Sequence, residues 1–158
     1  MSGAPFAERN GWRLFRHLAF RHTLDALNAD VQRVMAQRPE DWQSHPKAKL
    51  LRRIVDLIEV EIPRNPGAPE YAQGHTLGPS YRHWRRAKFM SRFRLFFRFD
   101  SASRMIVYGW VNDENSLRKA GSCTDPYAVF RHRLEIGDPP DDWHVLLTEA
   151  GEERPKKD

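Results

Sequence analysis

A chain of 158 residues is long enough for one domain with a real hydrophobic core. With 40% hydrophobic and 30% charged residues, a net charge of +5 and a pI near 9.7, it fits a globular domain with a basic surface rather than a fibrous or disordered chain. No apolar run approaches the roughly 20 residues that a membrane-spanning helix needs. Met1 to Asn10 lacks the apolar core of a signal peptide, and the lone Cys123 excludes an internal disulfide, so a cytoplasmic protein is expected. The 7 histidines are scattered and no Cys/His spacing suits structural zinc, so neither metal nor cofactor is expected.

In chain order, Trp12-Arg13-Leu14-Phe15 reads as a short opening strand. Phe20, Leu24, Leu27, Val31 and Val34 recur at spacings of three and four, which predicts an amphipathic helix ending near Pro39. A second helix starts near Lys47, with Leu51, Ile54, Val55, Ile58 and Ile62 on its buried stripe, and Pro63 and Pro66 close it. Residues 63–81 carry Pro63, Pro66, Gly67, Pro69, Gly74, Gly78 and Pro79 and form a long irregular loop, a feature more often functional than idle. Strands follow over Trp84 to Phe89, Arg92 to Phe99 and Arg104 to Val111. Alternation places Phe93, Leu95, Phe97 and Phe99 on one face of the middle strand, and Arg92, Arg94 and Arg98 with Phe96 on the other. Thr124-Asp125-Pro126 is the start signal of a last long helix carrying Tyr127, Phe130 and Leu134. Pro139-Pro140 stop it, and Asp141 or Asp142 caps a short terminal helix through Leu147. The order predicts an α+β fold, with N-terminal helices packed on a twisted, mainly antiparallel sheet and a C-terminal helix. One domain over 1–158 is expected, with an ordered core from about 10 to 147 and a flexible tail over 148–158.

Charge is distributed unevenly. Between Glu70 and Asp100 there is no acidic residue, while Arg82, Arg85, Arg86, Lys88, Arg92, Arg94 and Arg98 alternate with seven aromatic side chains, among them Tyr81, Trp84 and Phe89. Cations interleaved with aromatics suit a polyanion whose bases can stack, and single-stranded RNA better than duplex. A solvated basic sheet face beside a core has the same composition.

Asn10-Gly11-Trp12, Lys49-Leu50-Leu51, Arg94-Leu95-Phe96-Phe97-Arg98, Gly109-Trp110-Val111-Asn112-Asp113-Glu114-Asn115-Ser116-Leu117-Arg118 and Pro139-Pro140-Asp141-Asp142-Trp143 lie in this order along the chain. Together they resemble the YhaV family of toxins. That resemblance implies a RelE-like ribonuclease that cleaves mRNA, typically on the ribosome. It also implies an antitoxin of the PrlF type as inhibitor, with the complex repressing its own operon at operator DNA.

RNA cleavage by attack of a 2′-hydroxyl builds charge on the phosphate oxygens, so a metal-free enzyme needs fixed cations and groups that take and give a proton. Arg94 stands in an Arg-Leu-Phe-Phe strand like that of RelE toxins and is the first candidate for a two-pronged phosphate clamp. Its side chain is expected to leave the apolar face, so that its loss spares the fold. Lys88 and Arg86 resemble the paired basic residues of those toxins, as ligands of backbone phosphate or as a proton donor. Tyr127 matches a tyrosine implicated in cleavage, although its stripe with Phe130 and Leu134 equally suits a core. Arg118 is expected on the floor of the cleft, and Glu114 is a candidate general base, whereas Asp113 reads better as structural. Arg82, Arg85, Arg92, Arg98, His83 and Trp84 complete the expected RNA surface. Two rival readings remain at this stage: a non-catalytic RNA- or ribosome-binding module, and a ParE-like toxin acting on gyrase.

Overall fold

The computed structural model describes residues 4–151. Strand β1 (Ala7–Arg9) and strand β2 (Trp12–Arg16) form a hairpin absent from the sequence-based reading. Its turn is Asn10-Gly11, both at positive φ, the residue pair that a two-residue hairpin favours. Helix α1 (Leu18–Gln37) follows, capped by His17, and buries all five residues of the expected stripe. Helix α2 (Pro46–Asp56) runs through a π-turn at Leu57–Glu61 into a final turn, α3 (Ile62–Arg64). After the loop come β3 (Arg85–Phe89), β4 (Phe93–Asp100) and β5 (Met105–Val111), then α4 (Pro126–Ile136) and α5 (Trp143–Ala150). The sheet order is β1-β2-β5-β4-β3; all neighbours are antiparallel except β2 and β5. This is the α+β architecture expected of a RelE-like domain. Among the described residues no helix is long and apolar enough to cross a membrane.

The sheet has a core on each face. Leu95, Phe97, Ile106, Tyr108 and Val111 pack with Phe20, Leu24, Leu27, Val31, Ile54 and Ile58 from α1, α2 and the π-turn. Phe93, Leu95, Phe97 and Phe99 thus face the N-terminal helices, as the alternation required. Val55, expected on that buried stripe, is exposed, and Leu57 is buried instead. The π-turn follows Val55, with Leu57 and Ile58 buried along it and Ile62 buried just past it. Pro63, which has no N–H to give, lies just past this turn, and the Tyr108 hydroxyl donates to Ile58 O at 2.7 Å, satisfying a carbonyl five residues before the proline.

The second core covers the other sheet face. Phe96, Trp110 and Phe130 stack in series, with ring centroids 4.3 Å apart for Phe96 and Phe130 and 5.7 Å for Trp110 and Phe130. Trp84, Val107, Leu134, Leu146 and Ala150 fill the space around them. Helix α5 is capped by Asp142 and runs three residues past the expected end at Leu147. Ala150 is buried, and Glu149 Oε1 lies 2.7 Å from His17 Nε2, so 148–150 belong to the core rather than to a tail. Residues 152–158, the remainder of that expected tail, lie outside the described residues.

Candidate active site

Strand pairing decides which side chains can meet. Lys88 on β3 lies opposite Arg94 on β4. Both leave the sheet on the face away from α1 and α2, because their neighbours Ala87, Phe89 and Leu95 point into the first core. The hairpin joining these strands carries Met90 and Ser91 at positive φ without a glycine, a local strain. Arg94 Nη1 donates to Ser91 O at 3.1 Å and to Phe93 O at 2.8 Å, which holds that turn.

Past β5 the chain crosses the end of β4, and Asn112, 1% exposed, fastens it there. Its Oδ1 accepts from the Arg94 amide at 2.7 Å, and its Nδ2 donates to Ser116 O at 2.7 Å and Arg92 O at 3.2 Å. The Arg118 amide donates to Arg92 O at 2.9 Å, and Arg92 Nε returns a bond to Arg118 O at 3.1 Å. Backbone pairing of this kind sets Arg118 beside β4.

Helix α4 supplies the remaining groups. Asp125 caps it, Oδ2 accepting from the Tyr127 amide at 3.1 Å. Oδ1 of the same carboxylate accepts from Arg118 Nη1 at 2.6 Å and from the Lys119 amide at 2.7 Å. The Tyr127 ring packs edge-on against Phe96, and the Arg118 guanidinium lies over it at 4.9 Å. The Tyr127 hydroxyl accepts from Arg94 Nε at 3.2 Å. With Nε and Nη1 engaged, Arg94 Nη2 is the donor left without a protein partner among the described residues. Beside Arg118 and Tyr127 opens a groove of about 530 Å³, walled by Thr76 from the long loop, by 120–123, and by Arg131 one helical turn past Tyr127. Lys88, Arg92, Arg94, Arg118 and Tyr127 are thus gathered at one end of the sheet.

Comparison with known proteins shows the family of the chain. Residues 14–151 match the YhaV family, described as a toxin with endonuclease activity, of toxin–antitoxin system. The ribonuclease toxin YhaV of Escherichia coli K12 is 42% identical over 145 residues, which cover 90% of this chain and 94% of that protein. The toxins YhaV of Escherichia coli O157:H7 and of the O6:H1 strain CFT073 match to the same extent. The chain belongs to the YhaV family of toxins. No solved structure matches it.

Several residues of the expected RNA surface lie elsewhere in this YhaV-family fold. Trp84 is fully buried in the second core, its Nε1 donating to Asp141 Oδ1 at 2.8 Å, so it has no face on which a base could stack. Arg98 donates to Asp141 O and lies 5.7 Å and 5.4 Å from the Trp84 and Trp143 rings. Burial lowers its pKa, and Asp141 and Asp142 act against that shift. His83 Nε2 sits 2.6 Å from Asp141 Oδ1. Because β3 and β4 run antiparallel, His83, Trp84 and Arg98 all lie at the end opposite Lys88 and Arg94. Arg85 points to the first core's side, donating to Ala68 O at 2.8 Å, and burial lowers its pKa. Arg86 is buried and donates to Glu70 O at 3.1 Å, tying β3 to the long loop. Arg82 is exposed beyond the 3-10 turn Pro79–Tyr81.

Glu114 is a further correction. Its carboxylate pairs with Lys47 on α2 at 3.2 Å, on the helical side of the sheet, while Asp113 caps the turn Glu114–Ser116 as a structural residue. Arg94 is corrected in a different respect. Only 7% exposed and holding three hydrogen bonds, it is part of the fold as well as a neighbour of Tyr127 at the groove. Sequence reasoning missed Asn112, Thr76 and Arg131, and read Asp125 only as a cap. Arg131 carried a signal, standing four residues after Tyr127 on a helix; Asn112 and Thr76 act through long-range contacts that no local pattern announces.

Proposed function

We propose that this toxin is an mRNA endoribonuclease that works without a metal ion, by attack of a 2′-hydroxyl on the neighbouring phosphate. The observation that carries the reading is the gathering of Lys88, Arg94, Arg118 and Tyr127 at one end of the sheet, where Arg118 and Tyr127 line a groove. Arg94 Nη2 and the Arg118 guanidinium receive the developing charge on the non-bridging oxygens. Tyr127 Oη orients the attacking 2′-hydroxyl by a hydrogen bond while its proton passes to solvent, and Lys88, exposed and directly opposite Arg94, gives one to the departing 5′ oxygen. Arg92, Arg82 and Arg131 bind flanking phosphates, which positions the strand without reading its sequence. The ribonuclease activity in the name of the Escherichia coli K12 relative supports the same substrate.

Action on translating ribosomes, neutralisation by a PrlF-type antitoxin, co-repression at operator DNA and a cytoplasmic setting belong to this proposal. Primer extension on a translated and an untranslated copy of one mRNA, after induction, tests it. New 5′ ends in both copies support a free ribonuclease, and ends in the translated copy alone support ribosome-associated cleavage. Their absence from both, with growth still arrested, would overturn the reading. Cleavage by purified toxin should persist in excess chelator; its loss, restored by a divalent ion, would overturn metal independence.

A further inference from the structure

Asp125 does more than the capping that a helix start requires. A cap needs one oxygen on one amide. Here the carboxylate is 4% exposed and engages three donors: the Tyr127 amide through Oδ2, and Arg118 Nη1 and the Lys119 amide through Oδ1. Its two strongest contacts therefore lead away from the helix, to the segment that carries Arg118. One buried anion ties the two walls of the groove together, the 118–119 strip and the first turn of α4. What it ties down is the pair of side chains that bracket the expected scissile phosphate. Arg118 lies over the face of the Tyr127 ring, and the Tyr127 hydroxyl meets Arg94. Among the described residues that wall the groove, Asp125 is the only carboxylate. An acid in a site built for a polyanion lowers affinity for it, since like charges at close range repel. A buried acid there is offset by a compensating role, and geometry supplies one. An untethered arginine samples many rotamers and must be ordered as the transition state forms, whereas a tethered one is ordered beforehand.

We propose that Asp125 is a positioning residue for RNA cleavage: it holds Arg118 and Tyr127 in the geometry of the transition state, at a cost in ground-state affinity. This rests on the ribonuclease reading above. Asp125→Ser separates the two duties, since serine caps a helix as well as aspartate does but cannot also reach Arg118. Asp125→Asn keeps the size and one acceptor oxygen while removing the charge that holds the guanidinium.

The measurement is the single-turnover cleavage rate at saturating toxin, set beside the dissociation constant for an uncleavable 2′-O-methyl RNA and the melting temperature. Both variants should cut about 30-fold or more slowly, the scale of loss from misplacing one catalytic group. Both should bind the uncleavable RNA as tightly as the parent or more tightly, and Asp125→Ser should melt within a few degrees of it. A purely structural cap predicts otherwise: Asp125→Ser would then cut at the parent rate, and that result overturns the inference alone. Rate loss matched by a fold-for-fold loss of RNA affinity would also overturn it. A parent toxin that cuts no RNA, free or translated, would overturn the ribonuclease reading and this inference with it, so the two failures are distinguishable.

Discussion

Arg94 has two duties, and they can be separated at the residue scale. Because its guanidinium spans Tyr127 Oη, Ser91 O and Phe93 O, Arg94→Ala should lower unfolding free energy by about 2–4 kcal/mol, the net of three bonds to a buried charged group. Urea unfolding would measure that. The folded fraction should still cut a hundred- to a thousand-fold more slowly, about 3–4 kcal/mol of lost transition-state stabilisation. Arg94→Lys should recover only part of either loss, since an ammonium cannot make the divergent contacts of a planar fork. Lys88 is the cleaner probe. Its side chain is exposed on the edge strand, so Lys88→Ala should leave stability within roughly 0.5 kcal/mol while cleavage falls at least tenfold. Tyr127→Phe keeps the ring against Phe96 and removes the hydroxyl alone. Cleavage at the parent rate by that variant would remove Tyr127 from the mechanism.

At the scale of elements, the fold depends on a few close fits between strand and helix. Gly109, in the middle of β5, has Trp84 directly above it: a Cβ there would lie 2.6 Å from Cζ3 of the indole and 2.9 Å from Cη2. Gly109→Ala should therefore cost about 1–3 kcal/mol by overpacking, measured by urea midpoint, and combining it with Trp84→Phe should cost less than the sum of the two. The π-turn makes a similar demand on β5. Burial pushes the Tyr108 phenol well above its ordinary range and keeps it a donor to Ile58 O. Tyr108→Phe leaves that carbonyl unpaired and should cost about 1–3 kcal/mol.

For the whole molecule, the net charge of +5 understates the field at the groove, because the cations gather at one end of the sheet. Affinity for an uncleavable single-stranded RNA should fall with added salt, with a log–log slope of about −2 to −3 if three or four phosphates are neutralised. Arg131→Ala should make that slope shallower by roughly 0.7, whereas Arg98→Ala, whose charge is tied to Asp141 O at the far end, should leave it unchanged. The same field offers an antitoxin an economical target. An acidic segment laid over the groove should block cleavage and bind less tightly as salt rises. Salt-indifferent binding on the outer face of α1 and α2 would mean that inhibition works without covering the site.

Local periodicity and residue chemistry determined much of this protein from the sequence alone. The stripe Phe20-Leu24-Leu27-Val31-Val34, the alternation of β4 and the Asp125-Pro126 helix start each follow from rules that act within a few residues. They place Arg94 and Lys88 on the correct face, because strand geometry leaves only two choices. Asn10-Gly11 carried a hairpin signal of the same local kind. Tertiary structure alone decided which cations are available. Arg86, Arg94 and Arg98 look alike as arginines on one sheet face, yet α4 and α5 close over most of that face and leave only the end near Lys88 open. Trp84 reads as a base-stacking residue until Phe130 is seen packed against it, and Val55 reads as core until the packed helix leaves it exposed. The physical reason is common to all three. Burial and pairing depend on side chains brought together from distant parts of the chain, and those contacts leave no trace in the spacing of neighbours.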